Sequence, residues 1–304
     1  MKYKCFITVF TPTYNRAYII KNLYESLKAQ TDFDFEWLIV DDGSTDNTEQ
    51  LIDEFIKKHN KFQIRYYKKE NGGKHTAINK GLELAEGEMF FIVDSDDCLL
   101  SNAISKIKEW ENGINEKEKF AGVSGNKGYS EGKLVGSTFK GEYVDATSLE
   151  RNKLNINGDK AEVFYTALLR KYKFPEFKGE KFLTEDVVWS RIANDGYKIR
   201  WFNEIIYTCR YRDDGLFVQY NKLLASNPKG FALYVNQKIK FNKNNFFERN
   251  KMYNYYYDTV KNNLKIDVAA EYLNIGKLRL RCLCIYYSFK TFIHKLLRKI
   301  KRSS

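Results

Sequence analysis

A chain of 304 residues, 43% hydrophobic and 16% aromatic, has enough apolar material for a substantial core and suits one large domain with an appendage, or two domains. Its net charge of +12 first suggests a nucleic-acid binder, but nine positive residues and no Asp or Glu lie from Lys277 onward, leaving a mildly basic body. That distribution argues against a nucleic-acid-binding body, and no run of 18 or more apolar residues supports a membrane span. Five scattered cysteines (Cys5, Cys98, Cys209, Cys282 and Cys284) form no CxxC pair and fit a reducing compartment. The N-terminus runs straight into a strand-like segment without the regions of a signal peptide, so a cytosolic chain is expected.

Short apolar runs at 6–10, 37–40, 64–67 and 89–93 read as strands, and between them 17–29, 45–58 and 76–84 read as amphipathic helices. This alternation predicts a parallel sheet with helices on its faces. After Ser101 come a helix through about Trp110, a Gly-rich β-like region at 122–143, a helix at 166–171, another at 184–194, and strand-like pieces at 198–202 and 205–211. Beyond Asn221 the pattern is helical and tyrosine-rich, with the basic tail last.

Ligands of open α/β sheets sit at the carboxyl ends of strands, so the strand ends are where chemistry is sought. The run Phe90-Phe91-Ile92-Val93 ends in Asp94-Ser95-Asp96-Asp97. Carboxylates this close repel one another, which calls for a positive partner: a divalent cation carrying a phosphorylated ligand is one reading, an acidic turn or helix N-terminus the other. At the first strand end, Thr11-Pro12-Thr13-Tyr14-Asn15-Arg16 offers an aromatic ring suited to a nucleotide base, or simply a capped turn into a helix. At the second, Asp41-Asp42-Gly43-Ser44-Thr45-Asp46 offers a carboxylate for a uracil imide or ribose hydroxyls, while Asp42 or Ser44 equally suits a helix cap. After the third strand, Asn71-Gly72-Gly73-Lys74-His75 fails as a P-loop because Gly73-Lys74 is followed by His75, and no GxGxxG occurs. Lys74 either reaches a phosphate or base or is a solvated lysine; of the three histidines only His75 stands near a candidate site.

Together, PTYNR at 12–16, VDDGSTD at 40–46, NGGKHTAINKGLELAEGE at 71–88 and DSDD at 94–97 closely resemble the family 2 glycosyltransferases, over roughly residues 5–215. The resemblance implies an α/β GT-A fold, a Rossmann-like, mostly parallel sheet flanked by helices. It also implies a nucleotide-sugar-binding and catalytic domain at 1–219, followed by a helical C-terminal region at 220–304. By the same resemblance Thr11, Pro12, Tyr14 and Arg16 border the base and ribose and Asp42 binds the uracil edge, while Lys74 and Ser95 belong to the donor side. Asp94 lies near the ribose and Asp96 on the Mn2+ or Mg2+ that bridges the diphosphate, with Asp97 as the alternative ligand. Asp186, in Leu183-Thr184-Glu185-Asp186, matches the family's acceptor-side general base, although Thr184 and both acids also suit the first turn of a helix. One departure stands out: Arg212 occupies the position where many relatives carry a histidine, and an arginine clamps phosphate oxygens rather than a cation.

The reaction implied is inverting transfer from a nucleotide-sugar, expected to be a UDP-sugar, to a hydroxyl of a saccharide or lipid-linked saccharide in cell-surface polysaccharide synthesis. A sugar-phosphate nucleotidyltransferase is disfavoured because PTYNR is not a Gly-rich basic loop, and a non-enzymatic nucleic-acid binder because the charge is confined to the tail. In that tail Leu278, Leu280, Leu283, Ile285, Phe289, Phe292, Ile293, Leu296, Leu297 and Ile300 are interleaved with Lys and Arg. They predict a basic amphipathic helix on an anionic membrane, or else a helix packed on the protein's own core with a solvated basic face. The first reading places the chain peripherally on the cytoplasmic face of the membrane.

Overall fold

The β-branched and aromatic run Cys5–Thr13 forms β1, buried from Ile7 onward because it lies between two parallel neighbours. In this computed structural model, which describes residues 3–129, 131–209, 219–242 and 245–289, the chain continues through α1 (Ile20–Lys28), β2 (Phe35–Asp41), α2 (Thr48–Lys57), β3 (Gln63–Lys68), α3 (Lys74–Leu84) and β4 (Gly87–Ile92). Then follow β5 (Cys98–Leu99), α4 (Ala103–Asn112), β6 (Phe120–Tyr129), β7 (Tyr143–Ala146), β8 (Lys160–Tyr165), α5 (Thr166–Leu169), α6 (Asp186–Asn194) and β9 (Lys198–Cys209). Helices α7 (Tyr220–Ser226), α8 (Pro228–Phe241), α9 (Phe246–Val260) and α10 (Ile266–Tyr272) come next, and residues 277–289 form a last helix. Arg212 and the tail beyond residue 289 lie outside the described residues.

Among the described residues the strands form one mixed sheet in the order β3-β2-β1-β4-β8-β6-β9-β5, with β7 beside β9. Strands β3, β2, β1 and β4 run parallel; β8 is antiparallel to both β4 and β6, and β6 and β9 are again parallel. The parallel half therefore gathers the carboxyl ends of β1, β2 and β4 at one edge.

Helices cover both faces because both are apolar. On one face Tyr24 of α1 stacks on Phe55 of α2 at 4.1 Å, and Ile104, Ile107 and Trp110 of α4 join the same cluster. On the other, Phe10 and Phe90 stack at 4.9 Å beneath α3, whose Gly81 lies so close that a Cβ there would fall 2.2 Å from the Phe10 ring. Any larger residue at 81 would lift α3 off the sheet.

Several predicted boundaries move for local reasons. The helix expected at 45–58 starts at Thr48, since the Asp46 carboxylate accepts from the Thr48 N–H at 3.1 Å and hydroxyl at 2.5 Å; Asp46, rather than Asp42 or Ser44, serves this end. The pieces expected at 198–202 and 205–211 are one strand, β9, whose pairing with β6 shifts register between Ser124 and Asn126. Among the described residues of the 122–143 region, β6 is the one regular strand of any length, with β7 beginning at Tyr143.

The chain falls into two compact units, Met1–Glu176 with Val188–Asp213, and Phe177–Val187 with Asp214–Ser304. The second unit has its own core of Leu224, Phe231, Val235, Tyr256, Val260 and Leu280. Its first segment is tied to the start of α8: Glu180 accepts from the Lys229 and Gly230 N–H groups at 2.8 Å each, as suits a carboxylate at a helix N-terminus. Asn227 Oδ1 accepts from the Lys181 and Phe182 N–H groups at 2.7 and 3.1 Å.

Candidate active site

The loop after β1 is stitched to the loop after β2. Asn15, at φ 52°, accepts the Thr45 N–H on its side-chain oxygen at 2.8 Å and donates its own N–H to the Ser44 hydroxyl at 2.8 Å. The Arg16 N–H reaches the Thr48 hydroxyl at 3.2 Å, and the Ala17 N–H reaches Asp46 at 3.1 Å. These bonds leave the Tyr14 ring 47% exposed and set Arg16 against Tyr18, whose hydroxyl accepts from the guanidinium at 2.6 Å. Thr11 and Pro12 are buried, and Thr11 is spent in the core, accepting from the Trp37 indole N–H at 2.9 Å. The Thr13 hydroxyl, buried at the last position of β1 without a hydrogen-bond partner, went unnoticed in the sequence.

At the end of β2, Asp41 accepts from the Ser44 N–H at 2.7 Å and the Tyr66 hydroxyl at 2.6 Å. Asp42 grips the glycine turn: its Oδ1 accepts from Lys69 Nζ at 2.7 Å and Gly72 N at 2.9 Å, and its Oδ2 from Gly73 N at 2.7 Å. With one donor, Oδ2 accepts fewer hydrogen bonds than Oδ1, which has two. Gly73, at φ 96°, holds a left-handed conformation that an L side chain rarely adopts, and α3 starts at the next residue. The turn thus aims Lys74 across the site, where its Nζ lies 2.7 Å from Asp94 Oδ1. His75 is buried, and burial holds its pKa below the ordinary value.

At the end of β4 the three carboxylates take different environments. Burial pushes Asp94 up, but the charges of Lys74 and Lys127 outweigh it and hold the carboxyl below its usual range. Asp96 is raised, first by burial and then by the charge on Asp94. Asp97 is turned inward: its Oδ2 accepts from the Tyr207 hydroxyl at 2.7 Å, and the Tyr207 oxygen accepts from the Asp94 N–H at 3.1 Å. Ser95 is buried between them. Lys127 of β6 sits 4.1 Å from the centre of the Tyr207 ring, and Asp94 and Asp97 keep it protonated against its burial. Neither Lys127 nor Tyr207 was anticipated; a lone lysine among Gly125, Asn126 and Gly128 was the one available signal.

The donor set fits a hard divalent cation, because two crowded carboxylates, one of them raised by burial and then by its neighbour's charge, gain from a positive partner. Among the described residues no group of three or more His, Cys, Asp or Glu forms a ready-made cage. Oxygens from a ligand would have to complete the coordination.

Asp186 opens α6 and belongs to the second unit. Its carboxylate, 43% exposed, lies 3.6 Å from Lys238 Nζ, close enough for ion pairing but longer than a hydrogen bond.

The Glycosyl transferase family 2 profile matches residues 8–113, which hold all three strand ends. A β-1,3-glucosyltransferase of Campylobacter jejuni, named for a GalNAc(5)-diNAcBac-PP-undecaprenol substrate, is 26% identical over 75% of this chain and 71% of its own length. Several bacterial relatives of higher identity, 36%, are spanned over only about a third of their length. Among solved structures, residues 1–349 of S. aureus TarS in complex with UDP-GlcNAc align with a TM-score of 0.60 at 18% identity, covering 94% of this chain and 92% of that one. A Pyrobaculum calidifontis mannosyltransferase in complex with GDP-Man and Mn2+ aligns with a TM-score of 0.57 at 18% identity, covering 95% and 81%. The fold is therefore GT-A, and residues 8–113, which carry the strand ends of the site, match the family 2 glycosyltransferases.

Proposed function

We propose that this protein transfers a sugar, with inversion, from a nucleoside-diphosphate sugar to a hydroxyl of a saccharide or lipid-linked saccharide acceptor, in the synthesis of a cell-surface polysaccharide. The observation that carries the reading is the convergence of Arg16 from the β1 loop, Lys74 at the start of α3, and Asp94 and Asp96 after β4, with Tyr14 exposed two residues before Arg16 and the Asp42-held turn just before Lys74. In this reading residues 1–219 are the donor-binding and catalytic domain and 220–304 the helical region. Tyr14 stacks on the base, Asp42 receives the base edge, and Arg16 and Lys74 face the diphosphate. Asp94 and Asp96 hold Mn2+ or Mg2+; Asp97, committed to Tyr207, is the weaker candidate. The bound cation supplies charge neutralisation on the diphosphate.

Asp186 is the general base. It takes the proton of the acceptor hydroxyl as that oxygen bonds to the anomeric carbon, and the bond from that carbon to the diphosphate breaks with its electron pair leaving on the nucleoside diphosphate. Arg212 is assigned to the same leaving group from the sequence alone. A peripheral contact with anionic membrane through the C-terminal helix belongs to the proposal, supported by the exposed apolar residues of 277–289.

Titration calorimetry of UDP and GDP into the protein, with Mn2+ and then with EDTA, tests the donor site. Metal-dependent binding of one nucleotide that is lost in Asp96→Ala is the expected result. Failure of both nucleotides to bind under either condition would overturn the reading.

A further inference from the structure

The helix that carries Lys238 presents more than that one side chain to Asp186. Tyr234, Gln237 and Lys238 stand at i, i+3 and i+4 on α8, so they share one face. Lys238 Nζ lies 3.6 Å from Asp186 Oδ2 and 5.5 Å from the centre of the Tyr234 ring. The charge of Asp186 bears on the phenols of Tyr234 and Tyr220, although burial is the larger cause of the rise in both. Phe231, itself buried, fixes the array from below: its ring lies 6.5 Å from Tyr234, stacked, and 5.4 Å from Tyr255, edge-on. Tyr255 is exposed, and Gln237 keeps a buried side-chain oxygen with no hydrogen-bond partner.

Such a set is matched to a polyol. Aromatic rings accept the apolar C–H face of a pyranose, while a carboxylate, an ammonium and an amide take its hydroxyls as donor or acceptor. An orphaned buried carbonyl oxygen costs free energy until a donor reaches it, and a sugar hydroxyl is such a donor. We infer that Tyr234, Gln237 and Lys238 of α8, with Tyr255 beside them, form a saccharide subsite adjoining Asp186. Resting on the reading of Asp186 as the base, this subsite holds the acceptor sugar. Lys238 is then a positioning residue, and Gln237 and the tyrosines set which acceptor is taken.

Saturation-transfer NMR on the full chain tests this without a donor, with methyl β-D-glucopyranoside, methyl β-D-galactopyranoside and N,N′-diacetylchitobiose as probes. Binding of at least one probe is expected, weakened on the order of 5- to 10-fold by Gln237→Leu and by Tyr255→Ser. Unchanged melting temperatures would show both variants folded; if Tyr255→Ser misfolds, Tyr234→Phe, which keeps the ring and loses the hydroxyl, replaces it. No transfer to any probe in the wild type, or transfer undiminished in the folded variants, would overturn the subsite. Loss of nucleotide binding in the calorimetric titration would instead remove the transferase reading and leave the saccharide result standing.

Discussion

Lys160 places a charge where burial resists it. Only 3% exposed, it donates to the Ser137 carbonyl at 2.9 Å, and burial followed by the charge of Arg151 lowers its pKa to about 8. Between about pH 8 and the ordinary lysine value near 10.4 the unfolded chain binds more protons than the folded one, so folding stability gains as pH rises through that window. Below about pH 8 the penalty is fully present. Urea unfolding of wild type and Lys160→Met across this range checks it: the difference should move in favour of the wild type with rising pH, on the order of 3 kcal/mol over the whole window. A pH-independent difference would show that Lys160 titrates as an ordinary lysine. Residues of this kind were hidden in the sequence because burial depends on β8 lying between β4 and β6, which no local pattern declares. Asp94 and Asp96, by contrast, announced themselves by crowding charge after an apolar strand. Thr11 and Asp42 stand in motifs just as legible, but that the Thr11 hydroxyl accepts from Trp37 and that Asp42 holds the glycine turn could not be read there, since sequence spacing does not say which way a side chain points.

At the scale of elements, the helix at 277–289 brings two sequence readings together. Leu280 is fully buried, and Leu283 and Cys284 pack beside it in the second unit's core, while Leu278, Ile285, Tyr286 and Phe289 are 75%, 70%, 56% and 63% exposed. One stripe thus faces the protein and another, at 278, 282, 285 and 289, faces outward. Exposed apolar area of this kind beside Lys277 and Arg281 suits partial insertion into an anionic interface. Replacing Leu278, Ile285 and Phe289 together by serine leaves the inward stripe intact. It should weaken sedimentation with phosphatidylserine-containing vesicles on the order of 10²-fold, short of the full transfer energy of three large side chains because interfacial burial is partial. Vesicles of zwitterionic lipid should bind the wild type less. Equal sedimentation of variant and wild type would remove the membrane contact. Helix positions were legible here from apolar spacing; the division into two stripes was not, because the pattern alone cannot tell which leucines meet a neighbour.

For the whole molecule, the legible part was the first hundred residues, where strand, turn and helix alternate and each signal is local. The second half of the sheet was obscure: β8 runs against both its neighbours, β9 pairs through shifted registers, and small residues such as Gly122 and Gly125 replace the apolar alternation that marks a strand. Completing the sheet this way has a consequence for the site, because β6 and β9 bring Lys127 and Tyr207 against the acidic segment. Lys74 and Lys127 already compensate Asp94, and among the described residues no cage of three or more metal-ligating side chains exists. If the proposed donor site is right, a cation alone would have to displace Lys74 from its 2.7 Å ion pair with little coordination in return, whereas with a diphosphate present Lys74 would have a second anion to join. Binding of metal and nucleotide should therefore be coupled, and coupling appears in the stability of the whole chain. Melting temperature should rise little with Mn2+ or with the nucleotide separately, and by more than the sum with both, since a ligand at about 100 times its Kd adds about 2.7 kcal/mol. Additive shifts would mean that the carboxylates take the cation without help from the nucleotide, and that Lys74 does not stand in its way.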